Sequence, residues 1–579
     1  MGLRDRSSPT ILGRWFEGQW KPTALRIGGG FVICILTLPI MALAYGFLEG
    51  TKPKLRDLFT MPPDDPVGSM ALLTVIGGCA YTFWLIRFTG TPKFRQMMVD
   101  ASARGRLDER LGGMGRGGSS EFAGLLDEWS HPYKAGAVRL GRSLYDGQEI
   151  GLDDDRGLLT IASNRSGKGR SAIIPNLLLW PGSAVVIDPK GTNAAVTAAR
   201  RGKGGGRVTQ FLGHDAHVLD PFGIVPGVQS AAFNPLDMLD LNAITAKEDV
   251  GLLADALVVS SGPDDSHWNE SAQQILAGVI AHLKSREAVL PATLLDVRRV
   301  LTGDAEELDN LFGAMRENLA AGGLPRAAAN LVAAAGDRER GSMMTTVMRN
   351  TAWLDSLAMA SVIGRNSSTM RGGKFVSSDF SMADLKTKPT TIYVVLPPDM
   401  LEEHSRFMRL FVNLTVRAAA RGGKSRIPIL LIMDEFFAIG TLSSLAKASG
   451  ALAGYGLKLW PILQNLSQLR QLYPQNWQTF FANAGAVQIF GVNDRETAHE
   501  ITERLGRTRW AERIDDRMAV AVTNLLEAAE LEEMTERSTG LQLVMRSGKS
   551  PMLLQKTPYD LDKAFDQSMY APDPDHPGS

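Results

Sequence analysis

The chain has 579 residues, of which 44% are hydrophobic, and its 62 lysines and arginines balance its 62 aspartates and glutamates. This composition is typical of a folded protein that is long enough for several domains. The zero net charge excludes a globally basic nucleic-acid-binding domain, so any DNA contact would need a local basic lining. Cys34 and Cys79 are too few for a disulfide framework and lie within apolar segments.

Two apolar segments near the N-terminus, residues 27–48 and 67–86, are each long enough to cross a membrane as a helix. Basic residues flank the outer ends of the pair, which favours a hairpin with both termini in the cytoplasm. The alternatives are two buried helices of a soluble domain or, for the first segment, a signal peptide, although its apolar region is too long for one. We therefore predict a transmembrane hairpin within residues 1–96 and a Gly-rich linker over residues 97–140.

A hydrophobic segment runs directly into SNRSGKGRS, residues 163–171, and a strand-like segment, AVVIDPKG, follows. This order predicts a P-loop, in which backbone amides bind phosphates and a lysine, here Lys168, reaches the β- and γ-phosphates of ATP. The usual pattern has Gly where Ala162 stands and a Mg²⁺-binding Ser or Thr where Gly169 stands. A Gly-rich turn with an exposed lysine is the alternative. We expect nucleotide contacts from Asn164, Arg165, Ser166, Gly167, Lys168, Gly169 and Arg170.

The segment PILLIMDEF, residues 428–436, is an almost unbroken apolar run that ends in two acidic residues. Such a run predicts a strand buried on both faces of a parallel sheet, and ligands of such sheets bind at the carboxyl edge. Asp434 is predicted to hold Mg²⁺, directly or through water, and Glu435 to orient and deprotonate the attacking water. An ordinary buried strand with a solvated acidic end is the alternative.

Other apolar segments also end in polar residues. LKLWPILQN ends with Gln464, whose amide is predicted to sense the γ-phosphate, and AVVIDPKG ends with Asp188, which is predicted to contact the nucleotide. AVQIFGVND ends with Asn493 and Asp494. Each of these residues could serve only as a cap or turn former. Their shared position at strand ends nevertheless predicts one site at one rim of the sheet.

Strand-like runs nearly vanish between Leu236 and Ser367, where Ala-rich stretches with helical spacing dominate, as in HWNESAQQILAGVIAHL. This pattern predicts an all-α insertion domain over residues 236–367. The insertion would divide an α/β nucleotide-binding domain with a parallel-rich central sheet into residues 141–235 and 368–579.

One series of motifs runs through the chain in this order: the hairpin, the R-S-G-K-G loop, I-D-P-K-G, H-W-N-E-S-A, Y-V-V-L-P, M-D-E-F and Q-N-L-S-Q-L-R. This series resembles that of the TraG-like coupling proteins of bacterial type IV secretion and conjugation. The resemblance covers nearly the whole chain. It implies a RecA-like ATPase that spans the inner membrane more than once and assembles into hexamers. Such a protein receives relaxase–DNA complexes or effector proteins and passes them to components of the secretion channel.

The resemblance also implies roles for individual residues. Gly167 and Lys168 would bind phosphate, Asp434 would coordinate the metal, Glu435 would be catalytic and Gln464 would sense the γ-phosphate. Arg371 is a candidate to reach across from a neighbouring subunit as an arginine finger, or else is a solvated surface residue. Because the chain lacks the long acidic tail of many members, substrate choice is expected to depend more on the helical insertion.

Two other functions remain open. Gly169 leaves Mg²⁺ one protein ligand short, so water, Ser171 or Asp434 must compensate; otherwise the chain is a nucleotide-binding substrate receptor with little hydrolysis. An FtsK-type DNA translocase shares the motor core and the membrane tether. It would be expected to bring a long linker and a winged-helix DNA reader after the motor, and too little sequence follows here.

Overall fold

The computed structural model describes residues 120–576, except residues 260–265, 288–289, 365–369, 372–373, 376–377, 443–444, 446–449 and 515–516. Two compact units divide the chain: Gly124–Ser130, with the short helix Leu125–Trp129, is the described part of the first, and the other described residues form the second. Within the described ranges, no helix is long and apolar enough to cross a membrane. The predicted hairpin lies outside the described residues, as does residue range 97–119 of the predicted linker.

The second unit is built on β-strands. They are β1 (Val138–Ser143), β2 (Glu149–Leu152), β3 (Gly157–Ala162), β4 (Ala184–Asp188), β5 (Asp215–Leu219), β6 (Met370–Arg371), β7 (Lys374–Phe375), β8 (Thr390–Val395), β9 (Ile429–Asp434), β10 (Leu457–Leu463), β11 (Ala484–Gly491), β12 (Arg507–Ile514), β13 (Arg517–Asn524), β14 (Leu541–Met545) and β15 (Met552–Gln555). Eleven of them form one sheet in the order β2-β1-β15-β14-β11-β3-β10-β9-β4-β8-β5. The pairs β6-β7 and β12-β13 form separate two-stranded ribbons.

The sheet is mostly parallel. All neighbours from β11 to β5 pair in parallel, whereas β2, β1, β15 and β14 add an antiparallel end next to β11. Strands β4, β8 and β10 are buried at every position, which agrees with their nearly continuous apolar sequences. The prediction of an α/β fold with a parallel-rich central sheet is confirmed.

Alternate residues of the parallel strands enter two different cores. Val185 and Ile187 of β4 belong to the core on one face, whereas Ala184 and Val186 belong to the core on the other face. This alternation follows from the two-residue period of a strand. Helices cover the sheet: Ile174–Leu179, Thr192–Arg201, Asp384–Thr387, Ser405–Ala420, Phe436–Ile439, Leu466–Leu472, Trp477–Asn483, Arg495–Leu505 and Ala528–Thr535.

A helical segment lies between β5 and β6 in the chain. Its helices are Ala246–Leu257, Ser266–Ser285, Leu294–Leu301, Ala305–Arg316, Ala320–Ala334, Asp337–Thr351 and Leu357–Ile363. Capping boxes begin two of them, at Thr293 and at Asp304. Buried residues of the segment, such as Val250 and Ile275, join the same continuous core as Ile187 of the sheet. The helical segment therefore packs directly against one face of the sheet.

Candidate nucleotide-binding site

The loop after β3 turns sharply before a helix begins. Arg165 and Gly167 have left-handed backbone φ angles of 61° and 90°, which Gly adopts at little cost and Arg adopts rarely. A π-helical turn, Gly169–Ile173, then leads into the helix Ile174–Leu179. The amides that begin a helix have no acceptor within it, so they can bind phosphate oxygens. The hydroxyl of Ser166 is buried without a hydrogen-bond partner among the described residues, as expected of a loop built around a ligand.

The strand order brings the predicted residues to the same rim. Strand β10 lies between β3, which precedes the loop, and β9, which ends in the acidic pair. The register pairs Leu463 with Ile161 of β3 and Ile462 with Asp434 of β9, so the three carboxyl ends are level. Gln464 therefore follows β10 between the Lys168 loop and the acidic pair.

Four side chains meet at this rim. The Lys168 ammonium lies 2.8 Å from Asp434 Oδ1 and 3.1 Å from Glu435 Oε1, and Gln464 Nε2 donates to Glu435 Oε2 at 3.1 Å. The side chains of Lys168 and Asp434 are only 16% and 18% exposed. The structure thus assembles one partly buried cluster from three separate strands.

The electrostatics of Lys168 depend on the two acids. Burial by itself lowers the pKa of a lysine, but the charges and hydrogen bonds of Asp434 and Glu435 outweigh it and raise the pKa of Lys168. Glu435 has a left-handed φ of 78°, an unusual conformation for a residue with a side chain. This backbone turn lets the strand end in two successive acids that both reach Lys168.

Asp188 occupies the same rim at the end of β4, but its oxygens are already engaged. Asn193 Nδ2 donates to Oδ1 at 3.1 Å and the Ala194 amide donates to Oδ2 at 2.8 Å, which anchors the helix Thr192–Arg201. Burial raises the pKa of Asp188 to about 7 against these hydrogen bonds, which lower it. A nucleotide contact from Asp188 stays a prediction.

The remaining loop residues differ in their surroundings. Asn164 and Arg165 have exposed side chains, and a Cβ placed on Gly169 would meet no heavy atom of the described residues within 4 Å. Arg170 is instead bound by Asp560, with Nε donating to Oδ1 at 2.6 Å. Arg371 lies in the two-residue strand β6. A nucleotide role for each of these residues also stays a prediction.

Asp560 is the residue at this site that sequence reasoning missed. It lies 390 residues after Arg170 in the chain, so no local spacing connects them. The segment around it, TPYDLDKAF, carries no recognised motif. Only the fold places its carboxylate beside the residue that follows Gly169.

A lysine-bearing loop between a strand and a helix, facing an acidic strand end and an intervening amide, defines a P-loop nucleotide-binding protein. The chain belongs to the family described as "Type IV secretory system Conjugative DNA transfer", whose model matches residues 128–565. It is 29% identical over 374 residues to the conjugal transfer protein TraG of Escherichia coli, covering 61% of this chain and 55% of TraG. The chain spans about half the length of the curated relatives it matches.

Solved structures of a bacterial conjugative coupling protein share this fold. An unbound form of TrwB lacking its N-terminal segment superposes with a TM-score of 0.56 at 15% identity, covering 79% of this chain and 99% of that truncated chain. TrwB in complex with ADP and Mg²⁺ superposes with a TM-score of 0.54 at 16% identity, covering 79% of this chain and all of that structure.

Proposed function

We propose that this chain is an ATPase that couples nucleotide hydrolysis to the transfer of DNA or protein substrates by a type IV secretion system. The observation that carries the proposal is the cluster of Lys168, Asp434, Glu435 and Gln464 at the carboxyl rim of a parallel sheet. A lysine, a metal-binding acid, a base and an amide are the groups that a P-loop ATPase requires. Membership of the conjugative DNA transfer family supplies the biological setting.

The residues at the rim fit ATP and Mg²⁺. The buried Ser166 hydroxyl, which has no hydrogen-bond partner in the described part of the chain, and the amides at the start of the helix suit phosphate oxygens. Asp434 supplies the hard carboxylate oxygen that Mg²⁺ prefers, and Ser171 is a nearby hydroxyl within the first turn. When bound, Mg²⁺ would neutralise charge that develops on the phosphates.

The side chains divide the chemistry between them. Two carboxylates hold Lys168 at the rim, where the phosphate oxygens of a nucleotide would take their place, and Asp434 would then hold the metal. Glu435 would accept the proton of the attacking water, and Gln464 would orient the Glu435 carboxylate through its amide. Sensing of the γ-phosphate by Gln464 stays a prediction.

The other parts of the chain would place this ATPase in its membrane and cargo setting. The predicted hairpin at residues 27–48 and 67–86 would hold a hexamer in the bacterial inner membrane, with both termini in the cytoplasm. The helical segment, proposed as an insertion domain over residues 236–367, would bind the relaxase–DNA complex or effector protein. The channel components of the secretion system would accept that cargo, and Arg371 is our candidate arginine finger.

Transfer and ATP hydrolysis measured together test the proposal. In cells that depend on this chain, Glu435→Gln should abolish substrate transfer, whereas Glu503→Gln, an exposed glutamate on the helix Arg495–Leu505, should not. Hydrolysis by the purified chain should rise steeply with protein concentration as oligomers form, if a neighbour completes the site. Normal transfer by the Glu435→Gln variant would contradict the proposed function.

Membrane topology has its own test. In a chain with Cys34 and Cys79 replaced by serine, a membrane-impermeant thiol reagent applied outside the inner membrane should label a cysteine at Lys54. It should miss a cysteine at Ser163. The reverse pattern would place the nucleotide site away from cytosolic ATP and contradict this arrangement.

A substrate receptor with little hydrolysis is the second candidate, and Gly169 favours it because a P-loop commonly has a Mg²⁺-binding hydroxyl there. The space around Gly169 allows a direct test, since a Cβ would meet no atom within 4 Å. If the missing hydroxyl limits hydrolysis, Gly169→Ser should raise single-turnover hydrolysis, and Gly169→Ala should not. Equal rates in all three proteins, with fast steady-state turnover, would exclude the receptor.

A further inference from the structure

Residues 556–576, which we call the C-terminal strap, follow β15 and cross two helices beside the loop of Lys168. Tyr559, Phe565, Met569 and Tyr570 of the strap are buried against Ile174 and Leu178, from the helix after the loop, and against Val196. The helix that begins at the candidate phosphate site is therefore packed on one side by the C-terminal end of the described chain.

Polar contacts fix the strap at several points. The Asp562 carboxylate pairs with Arg139 at 2.5 Å and with Arg142 at 2.6 Å, and the Thr557 hydroxyl accepts a hydrogen bond from Arg139 Nη1 at 2.6 Å. The Ala571 amide donates to the Val196 carbonyl at 3.0 Å. Because these anchors lie on both sides of Asp560, the position of Asp560 is determined by the fold.

Asp560 and its neighbour hold the first turn after the loop. Both oxygens of Asp560 accept hydrogen bonds from the guanidinium of Arg170, and the amide of Tyr559 donates to the Arg170 carbonyl at 3.0 Å. The Asp560 side chain is only 5% exposed. Such a bidentate, largely buried pair is geometrically specific, and breaking one partner leaves the other charge uncompensated.

We propose that the C-terminal strap is part of the nucleotide site, with Asp560 as a positioning residue that fixes Arg170 and thereby the amides that follow Lys168. This inference rests on the proposed nucleotide binding and adds a component to that site. Arg170 is two residues from Lys168, so a change in its backbone alters the turn that presents the phosphate-binding amides. Asp560 acts through Arg170 and sets nucleotide affinity; it takes no part in hydrolysis.

The first experiment needs no nucleotide. Amide hydrogen exchange of residues 169–174 in the full chain should become faster by about tenfold in Asp560→Asn, because a charge-assisted pair that holds this turn is lost. Asp566→Asn is the matched control, since Asp566 lies on the same strap, is exposed, and accepts a hydrogen bond from Ser568 of the strap itself. That control should exchange like the wild type.

The second experiment measures binding of a fluorescent ADP analogue with Mg²⁺ and the kinetics of ATP hydrolysis. Asp560→Asn should raise the Kd for the analogue and the KM for ATP by about tenfold and leave kcat within about twofold. Asp560→Glu keeps the carboxylate and should recover most of the affinity. A purely structural role would not separate KM from kcat, nor be rescued in this way.

Each outcome decides the proposal. Unchanged exchange at residues 169–174 in Asp560→Asn overturns it, as does faster exchange with an unchanged Kd or a loss confined to kcat. If the wild-type chain binds no nucleotide, the proposed function fails, and the exchange measurement still decides whether Asp560 holds the turn. If Asp560→Asn does not fold, Arg170→Gln breaks the same pair from the other side and is read in the same assays.

Discussion

Two lysines at opposite rims of the same parallel sheet differ in what surrounds them. At the carboxyl rim, Lys168 lies between the carboxylates of Asp434 and Glu435, which raise its pKa. At the amino rim, Lys458 near the start of β10 is buried and donates to the backbone carbonyls of Asp154 and Arg156. Burial lowers the pKa of Lys458 to about 8.

The difference shows which buried lysine is suited to a ligand. Carbonyl oxygens satisfy the hydrogen bonds of Lys458 but carry no charge, and the nearby charges of Asp153, Asp154 and Asp155 only partly offset its burial. Lys458 therefore connects β10 to the segment before β3. Lys168 keeps its charge because two acids balance it, and both acids are partly exposed. In our proposal a phosphate replaces the acids at Lys168, whereas the described partners of Lys458 are backbone carbonyls that a ligand cannot displace in this way.

The largest expected effect comes from removing the lysine at the carboxyl rim. Lys168→Ala should reduce ATP turnover by ~10³-fold or more and weaken nucleotide binding, because it removes the charge that meets the phosphates. Lys203→Ala, an exposed lysine, is the control. Steady-state hydrolysis and nucleotide titration measure both effects. Near-normal turnover by the Lys168→Ala variant would show that Lys168 is no better suited to a ligand than Lys458.

The Glu435→Gln variant distinguishes the role of the acid in hydrolysis from the role of the lysine in binding. It should keep nucleotide binding, since Lys168 and the loop remain, but lower kcat by ~10²–10⁴, the usual contribution of a general base. Single-turnover hydrolysis at saturating ATP measures the chemical step. Turnover equal to that of the Glu503→Gln control would show that Glu435 is not the base.

The lowered pKa of Lys458 predicts that the stability of the folded chain depends on pH. The pKa of about 8 in the folded chain lies below the value of ~10.4 for an unfolded lysine, so the unfolded state binds more protons between these values. The free energy of unfolding should therefore rise with pH across that window, by on the order of 3 kcal/mol. Below about pH 8 the full cost of burying the charged lysine should remain.

Lys458→Met should remove most of that rise, because methionine keeps the apolar stem and does not titrate. Melting temperatures of the full chain from pH 7.5 to 10, with Lys203→Met as the control, measure it. An unchanged pH dependence in Lys458→Met would mean that the charge of Lys458 is compensated after all.

The smallest expected effect is at Gln464. Its amide donates one hydrogen bond to Glu435, so Gln464→Ala should lower kcat by about tenfold and leave KM nearly unchanged. Gln471→Ala, an exposed residue on the helix Leu466–Leu472, should behave like the wild type. A larger effect on KM than on kcat would indicate that Gln464 binds the nucleotide and does not orient the base.

Much of the fold could be predicted because its signals are local. Apolar runs such as residues 429–434 and 457–463 identify buried parallel strands, and their polar ends identify the carboxyl rim before any pairing is known. Neighbouring residues likewise indicate the Gly-rich turn before Arg170 and the loss of strand pattern after Leu236. These patterns were enough to select Lys168, Asp434, Glu435 and Gln464, whose side chains the structure brings together, as candidate site residues.

The pairing of charged residues could be identified only from the tertiary structure. Nothing near Arg170 indicates that Asp560, 390 residues away, would bind it, and nothing in LKLW indicates that Lys458 would be buried against carbonyls. The antiparallel end of the sheet likewise depends on the pairing of β1 with β15, two strands that are far apart in the sequence. Local sequence determines which element forms, through backbone preference and hydrophobic period. Which charges meet is decided by long-range packing, because burial and pairing are properties of the assembled core.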